Sequence, residues 1–265
     1  MLVLRKLRET MITWITQKLF RKRSRRAAEK SRRSEYQIIG AEVPTGLEHG
    51  WQDPGVAGGQ QVAFDRLLQK MRDGKPRQDF LALAGAVKKT CLADPLIIEV
   101  GCGSGWNSEV LAHLLKRPVR YIGMDYSESM VLLGRQAYPR HPFLVGDATA
   151  LPFADGACDI LLSGGVLMHL TGYRQAIRES RRVAARWCIF HTIPVLQRRA
   201  TTVLQKKAYD QSTVVEVIFN EAELFQMIEA EGMKVRLTLD NLAYNLQEVL
   251  GEPTAAKTYL CEVLP

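Results

Sequence analysis

The stretch "LIIEVGCGSGWN", Leu96 to Asn107, carries apolar, mostly branched residues around one acid and passes directly into three glycines at alternate positions, Gly101, Gly103 and Gly105. The first part reads as a strand of the buried, parallel type. The second reads as a turn whose main chain can approach a ligand closely, because three positions lack a side chain. A dinucleotide fingerprint of the form G-x-G-x-x-G needs glycine at position 106, where Trp106 stands, and no G-K-[ST] follows. Pyrophosphate binding and a P-loop are therefore poor accounts of this turn.

Downstream, strand patterns recur at Leu96–Val100, Val119–Met124, Pro142–Val145, Cys158–Ser163 and Trp187–Ile193, with helical patterns at Trp106–Lys116, Ser127–Tyr138 and Tyr173–Ala185 between most of them. Such alternation predicts a mostly parallel sheet covered by helices on both faces. Asn220, followed by Glu221 and Glu223, predicts an N-cap with acids in the first helical turn, and Gly232 stops that helix. The segments "MKVRLTL" and "AAKTYLCEV" then read as two strands joined by a long loop. Upstream, residues 34–60 are rich in Gly and Pro and read as irregular chain, while Gln61–Met71 and Gln78–Lys89 have helical spacing.

The net charge of +8 is local in origin. Residues 1–33 hold twelve Lys/Arg against two Glu, so residues 34–265 carry −2. Leu4, Leu7, Met11, Ile15 and Leu19 fall at steps of three and four ahead of the basic run Arg21–Arg33, which reads as an amphipathic helix with a cationic tail. Three uses stay open, in this order: a solvated extension packed on its own domain or a partner, peripheral contact with a membrane surface, and a nucleic-acid arm. No apolar run is long enough to cross a bilayer, and the basic start lacks the features of a secretory signal. The expected location is cytoplasmic, with peripheral membrane attachment as an option. The five cysteines are scattered without a C-x-x-C pair, which argues against a disulfide framework and against a metal site.

Three acids stand at successive strand ends: Glu99 before the glycine turn, Asp125 after "VRYIGM", and Asp147 in "LVGDATALPF". An acid ending the second strand is suited to accept hydrogen bonds from two ribose hydroxyls. Three acids together suit an adenosine bearing a cation better than one bearing phosphates.

In order and spacing, "IIEVGCGSGW", "YIGMDYSESM", "VGDATALPFADGACDILLSGGVLMHL" and "RESRRVAARW" resemble the motifs of class I S-adenosylmethionine-dependent methyltransferases, in particular the small-molecule branch, over about Pro95 to Ile193. The resemblance implies a Rossmann-like, doubly wound α/β fold, with a mostly parallel seven-stranded sheet, a C-terminal antiparallel hairpin and, here, an N-terminal helical cap. It implies S-adenosyl-L-methionine as cofactor. Gly101, Gly103 and Gly105 would wrap its methionine portion, Glu99 would support that loop, Asp125 would bind the ribose, Asp147 with the Ala148 N–H would read the adenine, and Met124 and Tyr126 would flank the base. The chain departs from the family at "ARWC", where a Gly pair is common, and at Cys158, where Phe is common before the fourth-strand acid. Both positions concern turns or packing.

Methyl transfer from a sulfonium releases a neutral thioether, so the leaving group needs no acid, and positioning of the acceptor dominates. A hydroxyl acceptor benefits from a base. The candidates are His169, in "VLMHL", and His191, near the end of the fifth strand. Enzymes of this family that methylate nucleic-acid amino groups commonly carry an Asn/Asp-Pro-Pro-aromatic turn where this chain has "SGGV", Ser163 to Val166, which favours a small-molecule acceptor. Residues 34–60 and Thr201–Phe219 are expected to form lid and pocket, with Tyr36, Trp51 and Tyr209 as candidate lining. The expected organisation is a basic extension (1–33), a cap (34–90) and the methyltransferase domain (91–265). Two alternatives stand beside this function: an RNA methyltransferase guided by the Arg-rich arm, and a cofactor-binding regulatory or scaffold protein without catalysis.

Overall fold

The protein is described here as a computed structural model covering residues 36–39, 44 and 46–265. The amphipathic and basic patterns read in residues 1–33 lie outside the described residues.

The glycine turn leaves the central strand of a large sheet. Strand β1 is Tyr36–Ile38, β2 Leu96–Val100, β3 Arg120–Asp125, β4 Phe143–Val145, β5 Cys158–Gly164, β6 Ala184–Leu196, β7 Thr202–Ala208, β8 Ser212–Asn220, β9 Met233–Asp240 and β10 Ala255–Val263. Strands β6-β5-β2-β3-β4 are neighbours in that order and parallel, while β10 lies antiparallel between β6 and β9. These seven are the strands that the sequence predicts. Because the chain moves from β2 to β3 on one side and returns to β5 on the other, the carboxyl ends of β2, β3 and β5 border the switch point of the sheet, where open α/β sheets leave a crevice.

Alternation within each strand sends side chains to two separate cores. Ile97, Ile160, Leu162 and Ile189 pack beneath Leu83, Ala86, Val87, Leu111 and Val131, which come from helices α2 (Gln78–Lys89), α3 (Trp106–Leu115) and α4 (Glu128–Ala137). Ile98, Val100, Leu161, Cys188 and Phe190 face the other way, onto α5 (Tyr173–Val183) and α6 (Glu221–Ala230). Each fully buried Leu, Ile or Phe contributes about 1.5–3 kcal/mol. The start of α6 is as predicted: the Asn220 side chain accepts from the Ala222 and Glu223 N–H groups. Helix α2, in the segment expected as cap, is thus part of the layer covering the sheet.

Two segments differ from expectation. The Gly/Pro-rich stretch read as irregular contains the start of α1, Pro54–Arg72. Asp53 caps it through the Gly55 N–H, and Pro54 stands at its first position, where a missing N–H costs nothing. Val56 is buried with Val214 and Ala208, and that burial outweighs the poor helix propensity of its glycines. Thr201–Phe219, expected as lid and pocket, forms the antiparallel pair β7/β8, with β1 added at its edge. Strand β8 joins the main sheet through Val195 and Leu196 at the end of β6, which extends and curls it.

On the inner face of this added sheet, Lys206 forms an ion pair with the fully buried Glu216, which also accepts from the Tyr244 hydroxyl. Removing one member of such a pair strands the other in a poorly solvating interior. Lys206→Met is expected to lower the free energy of unfolding by about 3 kcal/mol, and Lys206→Met/Glu216→Leu to recover most of the loss. Urea titration of the three proteins checks both.

Candidate active site

The carboxyl ends of β2, β3 and β5 open into a cavity of about 420 Å³, within the size range of small-molecule sites. Of the residues singled out in the sequence, Gly101, Gly103, Asp125, Tyr126, Asp147, Ala148 and His169 line it, as does Trp51.

Glycine is required at the turn for steric reasons. Gly101 and Gly103 have φ of +66° and +55°, and an added Cβ would lie 2.4 Å from Val166 Cβ and 2.3 Å from the Trp106 ring. Asp125 fastens the turn: its Oδ2 accepts from the Gly103 N–H at 2.7 Å and its Oδ1 from the Ser127 N–H at 2.9 Å. Each oxygen keeps lone-pair capacity for a further donor. Burial pushes the Asp125 pKa up from its ordinary value, and these N–H groups pull it back.

Glu99 lies beneath the turn, fully buried, and does not line the cavity. The Asn107 amide donates to it at 2.7 Å and the Tyr121 hydroxyl at 2.5 Å. Burial raises its pKa to about 8, against the pull of those two donors. Through these two bonds it joins the turn, α3 and β3 from below. Gly164 leaves room for it, since a Cβ there would meet Glu99 Oε1 at 2.0 Å. Gly105 also stays out of the lining; it is the left-handed residue that starts α3, with its open side against Phe143.

The segment after Asp147 is held from behind. The Thr149 N–H donates to Asp147 Oδ1 at 2.8 Å. Further on, Arg182 of α5 donates to the Leu151 and Phe153 carbonyls and to Glu179, while the Leu151 N–H donates to Glu179. Helix α5 therefore fixes the loop that presents Asp147 and Ala148.

The N-terminal segment closes the opposite wall. A short turn of 3-10 helix, Leu47–Gln52, brings His49 and Trp51 to the cavity, and Gln60 of α1 joins them. His49 Nδ1 lies 2.8 Å from the Tyr126 hydroxyl, and the Ser104 hydroxyl of the glycine turn donates to Gln61 at 2.5 Å. His49, Gln60, Thr149 and Thr171 are lining residues that sequence reasoning missed. No residue pattern pointed to the first two, whereas the Gly164-Gly165 pair was a visible sign of a close approach at this strand end. Tyr36 packs with Leu204 and Tyr244 instead of at the cavity, and Tyr209 stands in the β7/β8 turn.

The two histidines separate. His169 lines the cavity, its ring 4.6 Å from that of Trp51. Its Nδ1 is 2.9 Å from the Val215 carbonyl oxygen, which can only accept, so Nδ1 carries the proton and Nε2 is a lone-pair acceptor. Burial, reinforced by the Lys206 ammonium and opposed by the Val215 carbonyl, lowers its pKa to about 3. His191 is not brought to the cavity. It is buried, with Nδ1 2.9 Å from Thr258 Oγ1 and 3.4 Å from Asn241 Nδ2, and burial lowers its pKa to about 4. Among the described residues no cluster of His, Cys, Asp and Glu is arranged to hold a metal ion.

Residues 98–190 match the family model described as "Methyltransferase domain". A probable S-adenosylmethionine-dependent methyltransferase of Mycolicibacterium smegmatis is 29% identical over 54% of this chain and 53% of its own length. A demethylmenaquinone methyltransferase of Renibacterium salmoninarum is 32% identical over 33% of this chain and 35% of its own. The chain thus spans about half the length, or less, of these relatives. Among solved structures, a [4+2]-cyclase, SpnF, superposes with a TM-score of 0.59 at 16% identity, covering 86% of this chain and 98% of that one. The 1,6-didemethyltoxoflavin-N1-methyltransferase of Burkholderia thailandensis gives 0.53 at 16% identity, over 87% and 100%. Residues 98–190 thus resemble a methyltransferase domain, and the fold is the Rossmann-like α/β fold that the solved S-adenosylmethionine-dependent methyltransferase structure shares. The bare glycine turn, with an acid at the end of β3 whose two oxygens retain acceptor capacity, fits the cofactor of that family, S-adenosylmethionine.

Nitrogen NMR of the histidine rings checks the state of His169. Between pH 5 and 8 it is expected to remain neutral with the proton on Nδ1; a transition near pH 6.5 would contradict that.

Proposed function

We propose that the protein is an enzyme that transfers the methyl group of S-adenosylmethionine to a small-molecule acceptor. The observation that carries this reading is the placement of Asp125 and the side-chain-free turn on one cavity at the switch point of the sheet. In this reading Gly101 and Gly103 receive the methionine portion, and Asp125 accepts hydrogen bonds from the ribose. Asp147 and the Ala148 N–H recognise the adenine, beside Tyr126. Glu99 and Gly105 support the turn without touching the cofactor.

The cofactor supplies a methyl group already activated by the positive sulfur, so the chain's residues have to hold the acceptor in line, exclude water and receive or pass on a proton. His169 is on hand for the acceptor; with a pKa near 3 it orients a proton more readily than it stores one. The absence of His191 from the lining leaves it a packing role. A small acceptor agrees with the size of the cavity and with the quinone-related names of several relatives, including a 2-phytyl-1,4-naphtoquinone methyltransferase of Thermosynechococcus vestitus.

The chain is read as three parts: a basic extension (1–33), a cap (34–90) whose second helix also covers the sheet, and the catalytic body (91–265). For the extension, peripheral contact with a membrane surface is one of the three uses its sequence leaves open, supported by its apolar spacing and net charge of +10. No helix among the described residues is long and apolar enough to cross a membrane.

Calorimetry with S-adenosylhomocysteine tests the cofactor assignment. A hydrogen bond to a charged group is worth about 1.5–3 kcal/mol, so Asp125→Ala is expected to raise the dissociation constant by at least about tenfold; an unchanged value removes Asp125 from the site. Flotation with anionic vesicles tests the extension. The full chain should float and a chain lacking residues 1–33 should not.

A further inference from the structure

Strand β6 is interrupted beside the cavity. It pairs with β5 as far as His191, opposite Gly164, and with β8 only from Val195 onward, so it changes neighbour across residues 192–194. On its other edge Thr258 of β10 stands opposite two residues, His191 and Thr192, which is a bulge. Thr192 has a φ of +57° there. Glycine is the usual occupant of such a position, and a β-branched residue adopts it only where its surroundings impose it.

A buried polar knot imposes it. The Asn241 amide donates to Thr258 Oγ1 at 2.9 Å and to Thr192 Oγ1 at 3.2 Å, and Thr258 Oγ1 is 2.9 Å from His191 Nδ1. His191, Asn241 and Thr258 are all buried. Stability alone is a poor account of this knot, because Asn241 Oδ1 is buried without a partner among the described residues, a costly state for an acceptor. Backbone strain that persists in a fold is concentrated at functional sites.

The bend borders the cavity. Gly164 and Gly165 line it, and a Cβ on Gly165 would lie 4.0 Å from both the His191 carbonyl oxygen and Thr192 Cβ. The 3-10 turn that follows, Leu167–His169, packs on β6 and β8. Those two strands pair with each other only at Phe219 and Asn220 of β8, and in the stretch where they have parted His169 Nδ1 donates to the Val215 carbonyl.

We infer that His191, Thr258 and Asn241 are positioning residues: they hold Thr192 in its left-handed bend, and the bend parts β6 from β8 so that the Gly165–His169 segment seats His169 against the Val215 carbonyl. His191 thereby serves the cavity without touching it. The inference rests on the methyltransferase reading only for what His169 faces.

The test follows the His169 ring by nitrogen NMR and S-adenosylhomocysteine binding by calorimetry, both on the full chain. Thr192→Gly takes the bend without strain, so it should keep the Nδ1-protonated signature of His169 and melt no lower than the unchanged chain. Thr258→Val keeps the side-chain shape and removes the hydroxyl at the centre of the knot, and His191→Leu removes the ring nitrogen that meets it. Each should cost His169 that signature, seen as a second ring signal or a titration between pH 5 and 8, while S-adenosylhomocysteine still binds. Adding Thr192→Gly to either should bring the signature back, because glycine needs no knot to hold the bend. An unchanged signature in both single variants overturns the inference, as does a failure of Thr192→Gly to restore it, or a lower melting temperature for Thr192→Gly alone. Joint loss of the signature and of S-adenosylhomocysteine binding, with neither regained on adding Thr192→Gly, marks a general packing defect and overturns it as well. Lack of heat with S-adenosylhomocysteine in the unchanged chain is a different result, which overturns the methyltransferase reading and leaves the bend to be decided by the NMR signature.

Discussion

The site is organised by the hydrogen bond from the Gly103 N–H to the Asp125 carboxylate, 2.7 Å long. It ties the turn after β2 to the end of β3, and so fixes the separation of a strip of bare main chain from an acceptor of hydrogen bonds. Neither part could be placed by local preference alone. A chain with three glycines in five positions has many conformations to lose on folding, and a carboxylate at a buried strand end is unstable unless donors face it. Each compensates for the other. Glu99 completes the arrangement from below, bonded to Tyr121 and Asn107, and Gly164 is the residue that leaves it room.

The second feature of the molecule is the sheet extension formed by β1, β7 and β8, which meets the main sheet through two residues of β6. The backbone of β8 supplies the Val215 carbonyl that sets the tautomer of His169. Its neighbouring side chain, Val214, supports Trp51. The lid is thereby registered against the cavity by packing on this extension, by the Ser212 hydroxyl donating to Asp53 at 2.5 Å, and by the contact of His49 with Tyr126. Methyltransferases and a cyclase share the underlying fold, so chemistry has to be argued from this variable wall and not from the sheet.

The parts of the chain that were legible in the sequence are those in which one local rule and the tertiary structure agree. Strands β2 to β6 and helices α3 to α5 show clean changes of hydrophobic period, and Asn220 has the right neighbours for a cap. The β7/β8 hairpin was hidden because its turn runs through Tyr209 and Asp210 at φ of +52° and +57°, where Asn or Gly is the usual signal. The start of α1 was hidden by Gly55, Gly58 and Gly59, which read as loop, although Asp53-Pro54 is a cap followed by a favourable first residue. Of the two candidate histidines, sequence position could not separate one that faces a cavity from one that faces Thr258 and Asn241, because one follows an apolar strand, the other lies within one, and neither pattern fixes the direction of the side chain.

The sequence by itself determined the order of the seven strands of the main sheet and of the helices between them, the glycine turn and the three acids at strand ends, because hydrophobic period and steric demands at a turn are local properties. The tertiary structure alone decided which of those residues share a cavity. It put Glu99 under the turn and Asp125 beside it, brought Trp51 onto His169 across more than a hundred residues of chain, and turned His191 into the interior. Those outcomes depend on sheet order, side-chain direction and the burial of charge, which are set by long-range packing.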